Sequence, residues 1–415
     1  MTDVVVIGAG PAGLACAIEL RRRGVGDVLV LDREVEPGGI PRHSVHQGFG
    51  LRDLHRVISG PRYARRYVEL ARGAGVEVRR ETMATGWSEA GALELTSPAG
   101  RETLRTTVVA LATGCRERPR SARLVPGSRP DGVMTTATLQ QLVLRGMPVG
   151  TRALVVGAEH VSFSAVLTLA HAGAKVVAMT TELPRHQTLA VVRAGMALRY
   201  RFPLFTRTAV AAIHGRSRVD EVELLNLESR QTQSVGCDTV VFTADWIPDH
   251  ELAVAGGLAL DPGTHGPRTD TALRTTRGGT FAAGNMLHGA EPADVAAISG
   301  RHAGRSIAEW LAGDGSWPVA LPIECAPPLA WISPNAIGGD VDPPRGVFML
   351  RSREFARRAV VEFRQDGRLL WIGRADLKPG RSTLLPAGWL SGVDPGGGPV
   401  QVSTPGRLTR RGALS

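Results

Sequence analysis

Residues 3–32 read DVVVIGAGPAGLACAIELRRRGVGDVLVLD, and this stretch decides the fold. Its opening apolar run, at residues 4–7, has the length and β-branched character of a buried parallel strand. Gly8, Gly10 and Gly13 follow in the G-x-G-x-x-G spacing that opens a helix, and a second apolar strand ends in Asp32. Such a turn presents free N–H groups to a pyrophosphate, and the acid accepts hydrogen bonds from a ribose. The stretch therefore predicts a βαβ unit that binds a dinucleotide.

The length and composition of the chain fit a globular enzyme of two or three domains. The sequence has 415 residues, of which 43% are hydrophobic and 21% are charged. No apolar run reaches the roughly 18 residues that a membrane-spanning helix needs. The N-terminus leads straight into a core strand, without the basic region and cleavage site of a signal peptide, which predicts a cytoplasmic location.

The net charge of +10 raises the question of a nucleic-acid or membrane partner. Lys175 and Lys378 are the only lysines, so nearly all of the positive charge is arginine, and it is spread along the chain. No dense basic run with interleaved aromatic residues and no nucleic-acid motif occurs. We therefore expect a small-molecule substrate, and neither a nucleic-acid partner nor a membrane span.

The four cysteines carry no recognisable redox or metal motif. They are Cys16, Cys115, Cys237 and Cys325, and none is paired as C-x-x-C. This spacing excludes the usual zinc and iron–sulfur motifs and a thioredoxin-type dithiol. No metal site is predicted, and burial is the expected role of Cys16 and Cys237.

Residues 152–180 repeat the strand–helix–strand pattern with a damaged turn. Where G-x-G-x-x-G is required, residues 157–162 read GAEHVS, so Glu159 replaces the middle glycine. A carboxylate at this position would occupy the space of the pyrophosphate and repel it, and the second strand ends without a ribose-binding acid. We predict that this second unit keeps its fold but does not bind NAD(P)H well.

Two further segments complete a familiar order of motifs. An apolar strand ends in ATG at residues 112–114, and TFAAGN at residues 280–285 follows the second βαβ unit. With these motifs, residues 1–312 resemble the two-dinucleotide-domain flavoproteins of the pyridine nucleotide–disulfide oxidoreductase superfamily. The segments GGI at 38–40 and HQGFG at 46–50 are similar to flavoprotein subunits of amine-, opine- or glycine-oxidising dehydrogenases, and to those paired with glycerol-3-phosphate-dehydrogenase-like subunits.

The resemblance implies an α/β fold in three parts. A Rossmann-like FAD-binding domain takes residues 1–120 and 245–312, and an inserted, NAD(P)-like second Rossmann domain with the degenerate fingerprint takes residues 121–244. Residues 316–415 are rich in proline and glycine and contain alternating runs, which predicts a small C-terminal antiparallel β domain. Asp366-Gly367 is predicted to be a hairpin turn, and the tail from Asp394 is predicted to be frayed.

FAD is the cofactor that the resemblance implies, and the matching motif positions are implied to bind it: Gly8, Gly10, Ala12, Gly13, Asp32, Arg33, Gly39, Thr113, Gly114, Gly284 and Asn285. Asn285 stands where relatives carry an aspartate, and its amide still donates and accepts hydrogen bonds. His46 and His43 are the catalytic candidates, because their loop passes near the flavin ring in relatives and a histidine suits proton abstraction near neutral pH. The alternative is that one or both only hydrogen-bond the loop or the cofactor.

Three functions remain open on these observations. The first is FAD-dependent oxidation of a small amine, amino acid or hydroxy acid, with this chain as one subunit beside a partner dehydrogenase subunit. The second is an NAD(P)H-dependent flavoprotein reductase whose unusual turn accommodates Glu159. The third is an electron-transfer or scaffold subunit without a substrate of its own.

Overall fold

The computed structural model describes residues 2–339 and 341–405. Its first sheet contains five parallel strands in the order Thr280–Ala282, Thr106–Leu111, Thr2–Ile7, Val28–Leu31 and Glu77–Arg79. Val4, Val5 and Val6 are fully buried at its centre. The predicted N-terminal strand is therefore confirmed as the middle of a doubly covered parallel sheet.

Seven helices lie among the described residues: α1 Pro11–Arg22, α2 Gly60–Gly73, α3 Thr136–Leu144, α4 His160–His171, α5 Ala190–Tyr200, α6 Glu251–Ala255 and α7 Ala293–Ala312. Helices α1 and α7 pack in close contact on the first sheet. A Cβ atom on Gly300 would lie 1.9 Å from the carbonyl oxygen of Ala12, and one on Gly304 would lie 2.6 Å from that of Cys16. Only glycine allows the two helix backbones to approach this far.

The chain forms a second parallel sheet between strands Thr106–Leu111 and Thr280–Ala282 of the first sheet. Its strands run in the order Val133–Thr135, Thr239–Phe242, Arg152–Val156, Lys175–Thr180 and Leu204–Phe205. Helix α4 follows the central strand, as the repeated pattern predicts, and a three-stranded antiparallel sheet completes this part: Thr208–Gly215, Val219–Asn226 and Thr232–Gly236. The outgoing and returning chains pair as the antiparallel strands Cys115–Glu117 and Trp246–Pro248.

Two smaller antiparallel elements are inserted between strands of the first sheet. Residues 82–107 contain an antiparallel meander of strands Met83–Trp87, Leu93–Ser97 and Gly100–Leu104. The loop after Gly39 contains a 3-10 turn, Ile40–His43, and a short hairpin of strands Gln47–Phe49 and Ile58–Ser59. This loop reaches the second sheet, where it meets helices α3 and α4.

The C-terminal residues form two packed sheets around a core of their own. One sheet has the order Ala336–Ile337, Leu321–Cys325, Val400–Ser403, Ala356–Gln365 and Arg368–Leu377, and the other has the order Leu329–Ser333, Val347–Ser352 and Thr383–Pro386. The pairs are antiparallel, as predicted, except that Val400–Ser403 runs parallel to Leu321–Cys325. The Asp366-Gly367 turn joins the two longest strands, which confirms the predicted hairpin. The division of the chain at the predicted domain boundaries stays a prediction.

The predicted fraying from Asp394 is wrong for residues 394–405. Strand Val400–Ser403 lies inside the larger C-terminal sheet, where Val400 and Val402 are fully buried. The side chain of Gln365 holds the preceding glycine loop, because its Nε2 donates to the carbonyl oxygens of Asp394, at 2.8 Å, and Gly398, at 3.0 Å. A buried amide thus orders a segment whose composition favours fraying. The rest of the predicted tail, residues 406–415, lies outside the described residues.

Candidate functional site

The first glycine turn lies at the carboxyl end of the central strand, and two of its glycines are required by close backbone contacts. Gly8 has φ +107°, and a Cβ there would lie 2.5 Å from the carbonyl oxygen of Ala112. A Cβ on Gly13 would lie 1.8 Å from the carbonyl oxygen of Gly8. Any side chain at either position would collide with backbone, so strand, turn and helix are held at the spacing that the fingerprint requires.

Gly10 leaves open space where a phosphate would approach. Within 4 Å of a Cβ built on it, the structure shows only the Cα of Gly39, at 3.9 Å. Gly39 has φ +64°, and its own Cβ would lie 2.9 Å from the Cα of Gly10, so the two predicted glycines line the same opening. Helix α1 begins at Pro11 with Gly10 as its N-cap, which directs free backbone N–H groups to this opening. These residues fit a pyrophosphate.

Asp32 ties the end of its strand to the glycine turn. Its Oδ2 accepts from the backbone N–H of Ala9 at 2.6 Å, and its Oδ1 accepts from that of Glu34 at 2.9 Å. Burial raises the pKa of Asp32, and these two hydrogen bonds oppose the increase. Arg33 is more exposed, and its guanidinium lies 3.6 Å from a carboxylate oxygen of Asp249.

The remaining predicted cofactor residues lie on the neighbouring strand ends of the same sheet. The hydroxyl of Thr113 donates to the carbonyl oxygen of Asp249 at 2.7 Å, and the carbonyl oxygen of Gly114 accepts from the N–H of Asp249 at 2.9 Å. A Cβ on Gly284 would lie 2.5 Å from the Cβ of Ala12. The segment at 284–285 therefore abuts the start of α1, as the resemblance implies.

Asn285 uses its amide within its own loop. Its Nδ2 donates to the carbonyl oxygen of Glu291, and its Oδ1 accepts from the N–H of the same residue, both at 3.0 Å. These two bonds close residues 285–291 into a ring just before helix α7, which begins at Ala293. Asn285 therefore shapes the loop that precedes α7, and the sequence motif alone did not indicate this pairing.

His46 is fully hydrogen-bonded and points toward helix α4. Its Nδ1 lies 2.8 Å from the carbonyl oxygen of Gln47, which can only accept, so Nδ1 carries the proton of the neutral ring. With the proton on Nδ1, the Nε2 of His46 accepts from the hydroxyl of Ser164 at 2.6 Å. The oxygen of this hydroxyl accepts from the side-chain amide of Gln140 at 3.0 Å. Gln140 in turn accepts from the hydroxyl of Ser44 at 3.1 Å. This chain of bonds joins the loop after Gly39 to α3 and α4.

His43 is half-buried, and its Nδ1 has no hydrogen-bond partner in the part of the chain that the structure describes. Burial, reinforced by the nearby positive charge of Arg42, lowers the pKa of His43. Arg42 itself donates to Glu36 at 3.4 Å and lies 3.7 Å from Glu34. The loop thus contains His46, whose two ring nitrogens are both hydrogen-bonded, and a neutral His43, whose buried Nδ1 has no partner among the described residues.

The second glycine turn differs from the first at its middle position. Gly10 is half-buried, whereas Glu159 is 8% exposed. An oxygen of Glu159 accepts from the indole N–H of Trp246 at 3.1 Å. Burial raises the pKa of Glu159 to about 7, against the opposing influence of Arg351 and of this hydrogen bond. The carboxyl group stands at the N-cap of α4, where a pyrophosphate would be bound in an intact turn.

Residues 185–188 and the C-terminal sheets cover this second turn. The backbone N–H of Gln187 donates to the carbonyl oxygen of Ala158 at 2.8 Å. Gly380 lies so close to Gln187 that a Cβ on it would be 2.1 Å from the side-chain oxygen. The guanidinium of Arg185 lies 4.2 Å from the ring centre of Phe355. Residues 185–188 and the C-terminal part of the chain therefore lie against the second turn.

A buried polar cluster before helix α7 was not found from the sequence. His288 is 2% exposed and stacks on Trp331, with ring centres 5.0 Å apart. Burial lowers the pKa of His288. Arg351 from the C-terminal sheets pairs with Glu291 at 2.6 Å. No local signal marks these residues, because the partners come from separate parts of the chain.

Residues 2–339 and 341–405 contain neither a cluster of metal ligands nor a disulfide. No group of three His, Cys, Asp or Glu side chains within these ranges could hold a metal ion. All four cysteines are free thiols, and burial raises the pKa of each one. Over the same residues, no helix is both long and apolar enough to cross a membrane.

Comparison with known families identifies this arrangement of two βαβ units. The sequence profile for pyridine nucleotide-disulphide oxidoreductases matches residues 2–300. The chain belongs to this family. Membership makes the protein an FAD-dependent oxidoreductase, in agreement with the open first turn.

Two relatives in this family align with the same part of the chain. One subunit of the opine oxidase of Agrobacterium tumefaciens (strain Ach5) is 28% identical over 333 residues, which cover 72% of this chain and 64% of that protein. The alpha subunit of the sarcosine oxidase of Corynebacterium sp. (strain P-1) is 27% identical over 316 residues, covering 72% of this chain and 30% of that protein. The chain therefore spans less than two thirds of the length of these relatives.

A solved structure shares the fold of the two βαβ units. The thioredoxin reductase of T. acidophilum superposes with a TM-score of 0.62 at 20% identity, covering 75% of this chain and 99% of that chain. The two-dinucleotide-domain α/β fold is therefore confirmed.

Proposed function

We propose that the protein oxidises a small amine, amino acid or hydroxy acid at an FAD bound to the first glycine turn. The observation that carries the proposal is the contrast between the two turns. Gly10 leaves open space for a pyrophosphate, whereas the equivalent position of the second turn carries the buried carboxyl group of Glu159, bonded to Trp246. This difference supports FAD at the first turn and argues against a nicotinamide dinucleotide at the second.

The predicted cofactor residues are proposed to divide the binding of FAD among them. Gly8, Gly10 and Gly13 bring the N-terminus of α1 to the pyrophosphate, and Asp32 faces the adenosine ribose. The positive end of α7, which begins at Ala293, lies at the same edge of the sheet. The other proposed contacts come from residues on adjacent strand ends and turns: Ala12, Arg33, Gly39, Thr113, Gly114, Gly284 and Asn285.

Bound FAD supplies the hydride or electron chemistry, and the chain supplies position and proton transfer. We propose that His43, rather than His46, accepts a proton from the substrate. The neutral ring of His43 has a buried Nδ1 without a partner among the described residues, so a substrate bound against this atom would supply its missing hydrogen bond, whereas both nitrogens of His46 are engaged with Gln47 and Ser164. His46 instead fixes the loop against α4, which is the alternative role considered for it.

The names of the relatives support this substrate class and a partner subunit. The two aligned proteins are named as subunits of an opine oxidase and a sarcosine oxidase, which act on amino-acid-like amines by their names. The same names support a second candidate function, in which this chain passes electrons to or from a partner and has no substrate of its own.

Anaerobic reduction of the purified flavoprotein separates these functions. The visible absorption of the flavin is followed while NADH, NADPH and a panel of amines, amino acids and hydroxy acids are added. Bleaching by a member of the panel and not by NAD(P)H is expected. Rapid bleaching by NADH or NADPH would refute the proposal. Bleaching only after a co-expressed subunit is added would favour the electron-transfer role.

Variants sharpen the same experiment. Glu159→Gly restores the glycine of the fingerprint but supplies no ribose-binding acid after the second strand, so we expect no reduction by NADH in this variant. His43→Asn is expected to slow reduction by the substrate about 100-fold, the ordinary contribution of a general base, and His46→Asn is expected to slow it far less. Equal losses in the two histidine variants would contradict the assignment of His43.

A further inference from the structure

Arg351 lies outside the residues that match the family profile, yet it reaches the loop in front of α7. It belongs to strand Val347–Ser352 and is 8% exposed. Its Nη2 donates to Oε1 of Glu291 at 2.6 Å and to the hydroxyl of Ser382 at 3.0 Å. The hydroxyl of Ser382 donates to the same oxygen of Glu291. Two groups of the C-terminal sheets therefore hold one carboxylate oxygen of the FAD-binding part.

Glu291 transmits this contact to the candidate FAD site through two short connections. Its backbone closes the ring with Asn285, and Asn285 follows directly on Gly284, which abuts Ala12 at the start of α1. On its other side, Glu291 is two residues before Ala293, the first residue of α7. The position of Glu291 therefore sets both the loop and the helix N-terminus that lie beside the first glycine turn.

The surroundings of Arg351 hold its guanidinium in one place. The guanidinium carbon lies 4.9 Å from the ring centre of Trp331, which also stacks with His288. Its Nε is buried and has no hydrogen-bond partner among the described residues. A buried arginine that is hydrogen-bonded to a carboxylate is costly to separate from it, because either charge alone would remain desolvated. The Arg351–Glu291 pair therefore joins the C-terminal sheets firmly to the loop at 285–291.

We propose that Arg351 is a positioning residue for FAD, which acts through Glu291 on the loop at 285–291 and on the N-terminus of α7. The proposal rests on the placement of FAD at the first glycine turn. It assigns the C-terminal sheets a role in cofactor binding. It also predicts that the roles of Arg351 and Glu291 are not independent, since one residue acts only through the other.

The test uses the full-length chain and measures the FAD dissociation constant, the visible spectrum of the bound flavin and the thermal unfolding of the FAD-free protein. Arg351→Met and Glu291→Gln are each expected to weaken FAD binding about tenfold, an ordinary size for coupling to a ligand site. Both should shift the flavin absorption band in the same direction. Arg351→Lys keeps the charge and should retain more affinity than Arg351→Met.

A double-mutant cycle distinguishes positioning from general stabilisation. If Arg351 acts through Glu291, the variant carrying both substitutions should bind FAD as weakly as either single variant. Arg357→Met, at an exposed arginine on strand Ala356–Gln365 of the other C-terminal sheet, is the matched control and should stay within about twofold of the wild type. If Arg351→Met does not fold, Ser382→Ala removes one bond to Glu291 and should weaken FAD binding about threefold.

Several outcomes would overturn the proposal. These are an unchanged spectrum and affinity in folded Arg351→Met, losses that multiply in the double variant, and an unchanged affinity in Ser382→Ala. Gly13→Ala tests separately whether FAD binds at the first glycine turn. That substitution forces a Cβ to 1.8 Å from the oxygen of Gly8, so FAD binding that survives it would show that the cofactor lies elsewhere.

Discussion

Replacing Glu159 by glutamine tests whether a buried, protonated carboxyl group closes the second turn. Glutamine has the same size and can still accept the hydrogen bond from Trp246, but it cannot ionise. Burial raises the pKa of Glu159 from 4.5 to about 7, with Arg351 opposing the increase, and Glu117 and Arg123 are the other charged groups that act on it. The folded protein therefore holds this proton more tightly than the unfolded chain.

The sign of the pH dependence follows from that difference. Because the folded pKa is raised, the stability that protonated Glu159 contributes is complete below about pH 4.5 and is lost as the pH rises through about 7. Each unit of difference between the folded and unfolded pKa is worth about 1.4 kcal/mol, so the free energy of unfolding changes by about 3 kcal/mol between pH 4.5 and 7. With an unfolding entropy of about 2.1 cal/mol/K per residue, this is a difference in Tm of about 3 °C.

The assay is thermal unfolding of the wild type and of Glu159→Gln from pH 5 to pH 9. Glu159→Gln should gain stability relative to the wild type as the pH rises, with most of the change below pH 8. Other titrating groups are common to both proteins and cancel in the difference. Glu89→Gln, at an exposed position, is the control and should stay within about 0.5 kcal/mol at every pH. A difference that is constant with pH, or that has the opposite sign, would refute the buried carboxyl group.

Three further substitutions test other parts of the structure. Gly13→Ala places a Cβ 1.8 Å from the oxygen of Gly8 and should yield protein without FAD, measured as the ratio of flavin to protein absorption, whereas Gly73→Ala meets no atom within 4 Å and should keep its FAD. Ser164→Ala leaves the buried amide of Gln140 and the half-buried ring of His46 unpaired and should cost about 1–3 kcal/mol in urea unfolding, and an unchanged midpoint would argue against the network. Val402→Ala should cost about 2 kcal/mol because Val402 is fully buried, whereas a frayed tail would give no loss.

The features that the sequence predicts well are those that depend on neighbours in the chain. The apolar run at 4–7 and the spacing of Gly8, Gly10 and Gly13 meet local requirements for a strand, a left-handed turn and a close helix packing. The helical patterns at residues 61–73, 161–171 and 293–311 likewise predict helices, and α2, α4 and α7 begin and end within a residue of these bounds. The hairpin at Asp366-Gly367 follows from its turn residues alone.

The features that the sequence does not predict depend on partners far away in the chain. Nothing in the pattern around His46 indicates that Ser164 will occupy its second nitrogen, so a catalytic and a structural histidine look alike in sequence. Composition likewise misjudges the tail, because glycine content measures local freedom and not the bonds that Gln365 supplies. The hydrogen bond of His46 and the order of the tail are both decided by contacts between distant residues, which a local pattern does not contain.

The sequence by itself determined the α/β fold, the intact first fingerprint and the loss of the second, because steric limits on glycine and the charge of Glu159 act at the positions where they occur. The tertiary structure decided which groups remain available for chemistry. It buries Glu159 beside Trp246, leaves a nitrogen of His43 free, and joins Arg351 to the loop before α7 through Glu291. Burial and pairing are properties of the assembled sheets, and they set the charge and position of a side chain only once those sheets have packed.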